Sequence, residues 1–368
     1  MTKRMSIVLI MLIIVQGYIC STELSIAVES KYVASINSEV FHKLDCSYVK
    51  RIKEENKIYF DTCEDARNSG RRPCLRCNPC AGEPIPIQPI HPTINHPPKS
   101  EDQVRIASWN IRDFSSDSRN NDELNKICHI LSNYDFIAVV ELNDEDVLKR
   151  AEVVLKSMGI DYDYQISDKV GRVDKERYAF LYDRARVEVV ETGRIFPDPM
   201  DKFIREPYYA TFRAGEFDFT AIVIHILAGT TVTNRRAEIQ SLADVYNQIQ
   251  DMDQYEQDLI LMGDFNMEPN DVGYSQLRAI PSMCWLFNLP QKSSIFDSSL
   301  YDNIWFQSNY LTEYSGECGI YKFDESEFGN DAAAANLAVS DHRPIWADFY
   351  IGTSNIRFAI TWGRIKSY

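Results

Sequence analysis

Polar residues recur where apolar runs of this chain stop, and their types suit chemistry on an anionic ester. Asn110 lies at the end of a run in SWNIRDF and Glu141 in VVELND, while Glu176 opens KERYAFLYD. His225 stands in VIHI, Asp264 and Asn266 in LMGDFN, Asp302 in YDNIW, and Asp341 and His342 in SDHRP. A hard cation such as Mg²⁺ or Mn²⁺ prefers carboxylate and water oxygens, which makes Glu141 the first ligand to expect, with Asp341 helping to hold the ion. Asn110 and Asn266 can contact metal-bound water or ester oxygens without adding repulsive charge, and Asp264 can orient or activate an attacking water. Two imidazoles with an ordinary pKa of about 6.5 can divide the proton transfers, and we expect His342 as base and His225 as acid. Any one of these pieces alone reads as an ordinary strand-to-turn transition; the ordered set does not.

A second constellation precedes them. His42 and Cys46 are four apart in VFHKLDC, and Cys74 and Cys77 form a C-x₂-C pair in RRPCLRCNPC. One imidazole and three thiolates at this spacing suit a tetrahedral Zn²⁺ site. Disulfides are the alternative in an exported chain, and Cys63 and Cys80 widen the pairings. The specificity of the ligand pattern favours zinc. From Lys31 to Cys80 there are 10 basic and 7 acidic side chains, so this stretch can dock acidic polymers.

Strand-like runs at 104–110, 136–141, 178–182, 221–225, 259–262 and 345–350 would present the first set. Leu124, Ile127, Cys128 and Leu131 follow helical spacing, as do Ala237, Leu242, Tyr246 and Ile249. Cys128 is thereby expected as a buried core thiol. This alternation is an α/β pattern. Six of the 15 prolines fall between Glu83 and Pro98, where they oppose a packed core and mark a linker, 81–102. The organisation read from the chain is a signal peptide at 1–21, a metal-binding module at 30–80, this linker, a catalytic domain at 103–351 and a tail at 352–368.

Composition fits a folded enzyme, with 45% apolar and 12% aromatic residues. The net charge of −15 excludes a generic nucleic-acid coat, which would bind through excess Lys and Arg. Two basic residues, an apolar run from Met5 to Val15 and then Gly17 predict export through a signal peptide. That run is short of the roughly 20 residues that span a bilayer. Membrane attachment would require a lipid on Cys20.

The motifs, in this order, resemble the endonuclease/exonuclease/phosphatase family over about Val104 to Tyr350. Within it, GRVDKERYAFLYD, REPYYATF and AEIQSLADVYNQIQ before GDFN are similar to the deoxyribonuclease I branch. The resemblance implies a four-layered α/β sandwich, two packed mixed sheets flanked by helices, with the site at one end of the sheets. It implies that Glu176 orients His225, that Asp302 orients His342, and that Arg205 contacts phosphate on the cleaved strand. The implied activity is metal-dependent endonucleolytic cleavage of DNA, with Ca²⁺ a further cation to consider; we expect a secreted monomer with no stable protein partner. Asn143 stands where the vertebrate-type enzymes have an arginine, and the stretch from Arg172 to Glu176 is one residue shorter and lacks a tyrosine, which weakens the expected duplex contacts. Phosphatase or phospholipid phosphodiesterase activity, or a DNA-binding or toxin-like adaptor, are the alternatives. The segment FDTCEDARNSGRRPCLRCNP is similar to the metal-binding module of the Ada DNA-repair protein, with His42 in place of a cysteine. Cys284 and Cys318 are candidates for a disulfide in the catalytic domain.

Overall fold

The computed structural model describes residues 30–38, 40–69, 71–74, 76–77, 79, 99–172, 175–253 and 256–352. The expected signal peptide, Cys20, Cys80, most of the linker and nearly all of the tail lie outside these residues. The chain divides into two units at Pro79 and Cys80.

The first unit carries strands β1 (Tyr32–Ser35), β2 (Val40–Lys43) and β3 (Lys57–Phe60), helix α1 (Cys63–Asn68) and strand β4 (Arg72–Pro73), in one sheet ordered β3-β1-β2-β4. Its described apolar centre is small, with Val33, Cys46, Val49 and Cys74 buried beside Val40 and Cys77.

The second unit runs β5 (Gln103–Phe114), α2 (Asn121–Leu131), β6 (Phe136–Leu142), α3 (Asp146–Ser157), β7 (Tyr162–Ile166), β8 (Arg177–Asp183), β9 (Glu188–Ile195), β10 (Tyr208–Ala214), β11 (Phe217–His225), α4 (Val232–Met252) and β12 (Leu259–Asp264). It continues with α5 (Ser275–Arg278), β13 (Met283–Trp285), β14 (Asp302–Gln307), β15 (Tyr314–Ile320), α6 (Phe323–Ser326), α7 (Ala332–Ala338) and β16 (Ile345–Tyr350). Two six-stranded sheets result, ordered β15-β16-β5-β6-β8-β7 and β13-β14-β12-β11-β10-β9.

Period-two alternation decides how they stack. Along β5, Val104 and Ile106 face the core between the sheets, while Ala107, Trp109 and Ile111 face α2 and α3. Along β11, Phe219, Ala221 and Val223 enter the same central core, while Ile222 and Ile224 pack under α4. Helices therefore cover both outer faces, giving four layers. Asn120 caps α2 through a reciprocal capping box with Glu123. Cys128 is fully buried between α2 and α3, as its spacing predicted.

Each sheet has one parallel pair, β5 with β6 and β11 with β12, and antiparallel neighbours. The carboxyl ends of the parallel strands and the amino ends of β8, β14 and β16 consequently lie at one edge of the sandwich. Those are the positions where the polar motif residues stand.

Cys284 and Cys318 are free thiols, so the suggested disulfide is absent. They sit on edge strands of different sheets: Cys284 donates to the Phe306 carbonyl at 3.2 Å, and Cys318 hydrogen-bonds Tyr314. Cys63, by contrast, is disulfide-bonded.

Candidate active site and zinc cluster

Register brings the second sheet's contribution into one row. His225 ends β11 opposite Asp264 at the end of β12, which in turn pairs with Asp302 at the start of β14. From the first sheet come Asn110 on β5, Glu141 on β6, Glu176 immediately before β8, and Asp341 and His342 before β16. Gly263 lets β12 lie close against β11 just before Asp264: its φ is +142°, and a Cβ there would sit 1.9 Å from the Ile224 carbonyl oxygen.

Two histidine–carboxylate pairs form, and each spans the two sheets. His225 Nδ1 lies 2.7 Å from Glu176 Oε1, and His342 Nδ1 lies 2.8 Å from Asp302 Oδ2. With Nδ1 engaged in this way, each imidazole turns Nε2 toward the same carboxylate oxygen: Asp264 Oδ2 is 3.7 Å from His225 and 3.5 Å from His342. Asn110 Nδ2 donates to that oxygen at 3.1 Å and to Glu141 Oε1 at 2.9 Å. The Asp113 backbone N–H holds the other Glu141 oxygen at 3.1 Å.

Burial is the largest influence on either imidazole and opposes its charge. For His225 it is outweighed by the charge and hydrogen bond of Glu176 and by Asp264, so the pKa is raised although Arg205 works against it. For His342 the charges of Asp302 and Asp264, the Asp302 hydrogen bond and Asp341 raise it well above 6.5. Both imidazoles therefore favour the protonated form, as carboxylate neighbours require.

The backbone is held in unusual conformations here. Glu141 at φ 60°, Asn266 at φ 46° and Asp113 at φ 49° are left-handed non-glycine residues. Such geometry costs free energy and persists where surrounding contacts over-determine it, as around functional groups.

Other expected residues fall differently. The Asn266 amide nitrogen is committed to the Ile226 carbonyl at 2.8 Å, while its backbone N–H donates to Asp264 Oδ1 at 2.9 Å. The Asp341 backbone carbonyl accepts from Ile295, and its side chain reaches the site through its charge on His342. Arg205 is 4% exposed, with Nη2 3.3 Å from Glu176 Oε2 and Nη1 3.4 Å from His225 Nδ1, so it backs the first pair. Two supporting residues escaped sequence reading. The Tyr178 hydroxyl accepts the His225 backbone N–H, and Ser340 Oγ ties the Asn110 carbonyl to the His342 backbone N–H. Both stand inside the motifs, but nothing about a Tyr or Ser at those places announces the bond.

An oxygen-only donor set suits a hard divalent cation. Glu141 is part exposed and offers two oxygens, and Asn110 Oδ1 is buried with no hydrogen-bond partner among the described residues. Asp264, Asp302 and His342 also bring ligand atoms within 4.8 Å of one another, but Asp302 and His342 already bond each other there.

In the first unit, ligand atoms of His42, Cys46, Cys74 and Cys77 all lie within 4.8 Å, and the three cysteines are free. Burial pushes the Cys74 thiol up, yet the Cys77 and Arg76 backbone N–H groups and the neighbouring thiols bring it below its ordinary value. That favours the thiolate of a soft-ligand metal site at Cys74, whereas burial pushes the Cys77 thiol up to about 12. This unit thus carries both the ligand cluster and the disulfide-bonded Cys63.

The family model described as the endonuclease/exonuclease/phosphatase family matches residues 107–342, most of the second unit. The chain belongs to the endonuclease/exonuclease/phosphatase family. A deoxyribonuclease of Thioalkalivibrio sp. (strain K90mix) is 31% identical over 258 residues, 67% of this chain and 71% of the relative. Deoxyribonuclease-1 of Equus caballus is 30% identical over 262 residues, 66% of this chain and 90% of the relative. The structure of D. rerio TDP2 complexed with a single-strand DNA product shares the fold at 16% identity and a TM-score of 0.50, over 68% of this chain and 99% of that one. A second model, the metal binding domain of Ada, matches residues 26–80. The second unit is therefore an enzyme of phosphoester hydrolysis within this family, and the first resembles a metal-binding domain.

Proposed function

We propose that the protein is an exported endonuclease that hydrolyses DNA phosphodiester bonds by water attack and depends on a divalent cation such as Mg²⁺. The observation that carries this reading is the pair of imidazoles, each with Nδ1 against a carboxylate, whose Nε2 atoms converge on one Asp264 oxygen. A phosphodiester needs a proton taken from water on one side and given to an alkoxide on the other, and two such imidazoles can do both. The deoxyribonuclease relatives supply the substrate class, and the leader-like amino terminus supports export.

In this reading Glu141 and Asn110 hold the cation, with Asp341 adding charge nearby; a bound cation would neutralise phosphoryl oxygens and favour attack. Asp264 orients the attacking water, and Asn266 fixes Asp264 through its backbone N–H. His342, the more exposed imidazole at 12% against 5%, serves as base and His225 as leaving-group acid. Glu176 and Asp302 keep the imidazoles aligned, and Arg205 braces Glu176 while adding positive charge for the scissile phosphate. Because both imidazoles are raised above 6.5, the base must first shed a proton, and cleavage should climb with pH through a value above about 6.5.

The test is purified full-length protein with Mg²⁺ against plasmid DNA, RNA, an abasic duplex and phospholipid. Nicking of plasmid that stops in EDTA and is lost in Glu141→Ala supports the reading. Phospholipid or phosphomonoester turnover without DNA cleavage would replace the substrate, and cleavage unaffected by EDTA would reject the cation.

A further inference from the structure

The basic excess noted between Lys31 and Cys80 has a structured focus. Tyr48 is 40% exposed, and the guanidinium groups of Arg51 and Arg76 lie 5.5 and 5.7 Å from its ring centroid. Both arginines are exposed, and among the described residues neither has a hydrogen-bond or ion-pair partner. Two other cations of this unit are engaged: Lys57 pairs with Glu54 at 2.6 Å, and Arg71 donates to the Ser38 carbonyl at 3.1 Å. Two unpartnered guanidiniums sharing one aromatic ring form a rigid pair of anion-binding forks, since stacking limits the rotamer freedom that free arginines would lose on binding.

The cluster of His42, Cys46, Cys74 and Cys77 adjoins two of these residues, and Arg51 joins them through the Tyr48 ring. Tyr48 follows Cys46 by two residues and packs its ring 5.9 Å from the His42 imidazole. Arg76 lies between Cys74 and Cys77, and its backbone N–H bonds the Cys74 sulfur. The segments carrying Tyr48 and Arg76 meet where the four ligands meet. Asp45 and Glu54 are acidic side chains nearby in sequence, and Lys50 and Lys53 are exposed neighbours of the opposite sign.

We propose that Tyr48, Arg51 and Arg76 form a docking platform for the phosphodiester backbone of a nucleic acid, assembled by the metal cluster and blind to base sequence. The inference rests on the nuclease reading for its choice of polyanion. In an otherwise acidic chain, the platform supplies the phosphate affinity that the catalytic unit lacks in net charge. Linkage on one chain raises the local concentration of a held strand for that unit, so long DNA gains more than short.

The experiment measures binding of a fluorescent DNA duplex against salt, using full-length protein in a His342→Asn background so that the strand survives. Each phosphate contact contributes roughly −0.9 to the slope of log affinity on log salt, so Arg51→Ala with Arg76→Ala should flatten it by nearly 2. Between about 50 and 200 mM salt that amounts to roughly a tenfold shallower loss of affinity. Lys57→Ala removes one charge from an ion-paired position and should leave the slope close to the parent. Zinc content and circular dichroism of each variant establish that the unit stays folded. In the active background, the double variant should retain cleavage of a short oligonucleotide and lose efficiency on plasmid. An unchanged slope overturns the platform, as does a flattening equalled by Lys57→Ala, which would mean bulk charge alone. Loss of binding to phosphatidylserine vesicles with an unchanged DNA slope overturns it in favour of a membrane. A flattened slope in a protein whose parent cuts no DNA keeps the platform and removes the nuclease reading.

Discussion

Replacing Asp302 by Asn tests the proton-transfer arrangement at its most informative point. The side chain keeps its size in a site where it is 1% exposed, but the charge 2.8 Å from His342 Nδ1 is lost. At an effective dielectric of about 20, a unit charge at roughly 4 Å from the imidazolium centre is worth about 4 kcal/mol, which corresponds to about three decades in rate if fully expressed in the transition state. General acid–base groups contribute about 10² to 10⁴-fold, so a loss of about a thousandfold is the expected size. Initial rates of plasmid nicking are measured across a Mg²⁺ titration, with thermal melts confirming the fold. As an orienting carboxylate, Asp302 should lower kcat while leaving the half-saturating Mg²⁺ concentration unchanged. Recovery of activity at high Mg²⁺ would instead make Asp302 a metal ligand with Asp264 and His342. A folded variant within about threefold of the parent would refute the reasoning altogether, because that is well under the smallest contribution expected of such a group.

Cys74→Ser should release the zinc of the first unit and unfold it, since its small core cannot replace the ligation energy, while short-oligonucleotide cleavage persists; elemental analysis finding no zinc in the parent would overturn this. Arg105, 1% exposed, is held at 2.7 Å by both Asp348 oxygens and lies 4.0 Å from the Trp346 ring. Asp348→Ala should cost about 3–5 kcal/mol by removing the carboxylate that holds this buried cation at two points, read from urea unfolding of the second unit. Burial, then Glu313, Glu256 and Asp218, push the Asp258 carboxyl up to about 8, and burial leads the rise of Glu256 to about 7. These folded values exceed the unfolded ones, so the groups favour folding below about pH 4 and that benefit is lost as pH rises toward 8. Asp258→Asn should therefore narrow the difference in melting temperature between pH 5 and pH 9, and an equal or wider difference would contradict the sign.

Much of this site was legible because its residues lie beside strong local signals. Asn110, Glu141, His225 and Asp264 end or nearly end apolar runs, and an apolar run with a polar terminus needs no long-range knowledge to be seen. The H-x₃-C and C-x₂-C spacings were visible for a similar reason, since a turn brings the ligand atoms of each pair together. Edge strands were less visible: β9 is largely exposed along its length and β13 is only three residues long, so neither produces an apolar run.

The sequence by itself determined the elements, the donor types and the two clusters of chemistry-bearing residues. Only the tertiary structure decided that Glu176 of one sheet meets His225 of the other, across 49 residues of chain, and that Asp302 meets His342 across 40. It likewise turned both Nε2 atoms toward Asp264, buried Arg205 behind Glu176, held Glu141 in a left-handed conformation, left Cys284 and Cys318 as free thiols and put Cys63 in a disulfide. The reason is one of range. Propensity and periodicity act over a few residues, whereas these contacts arise when the apolar faces of two sheets close on a shared core and bring their polar strand ends to one edge.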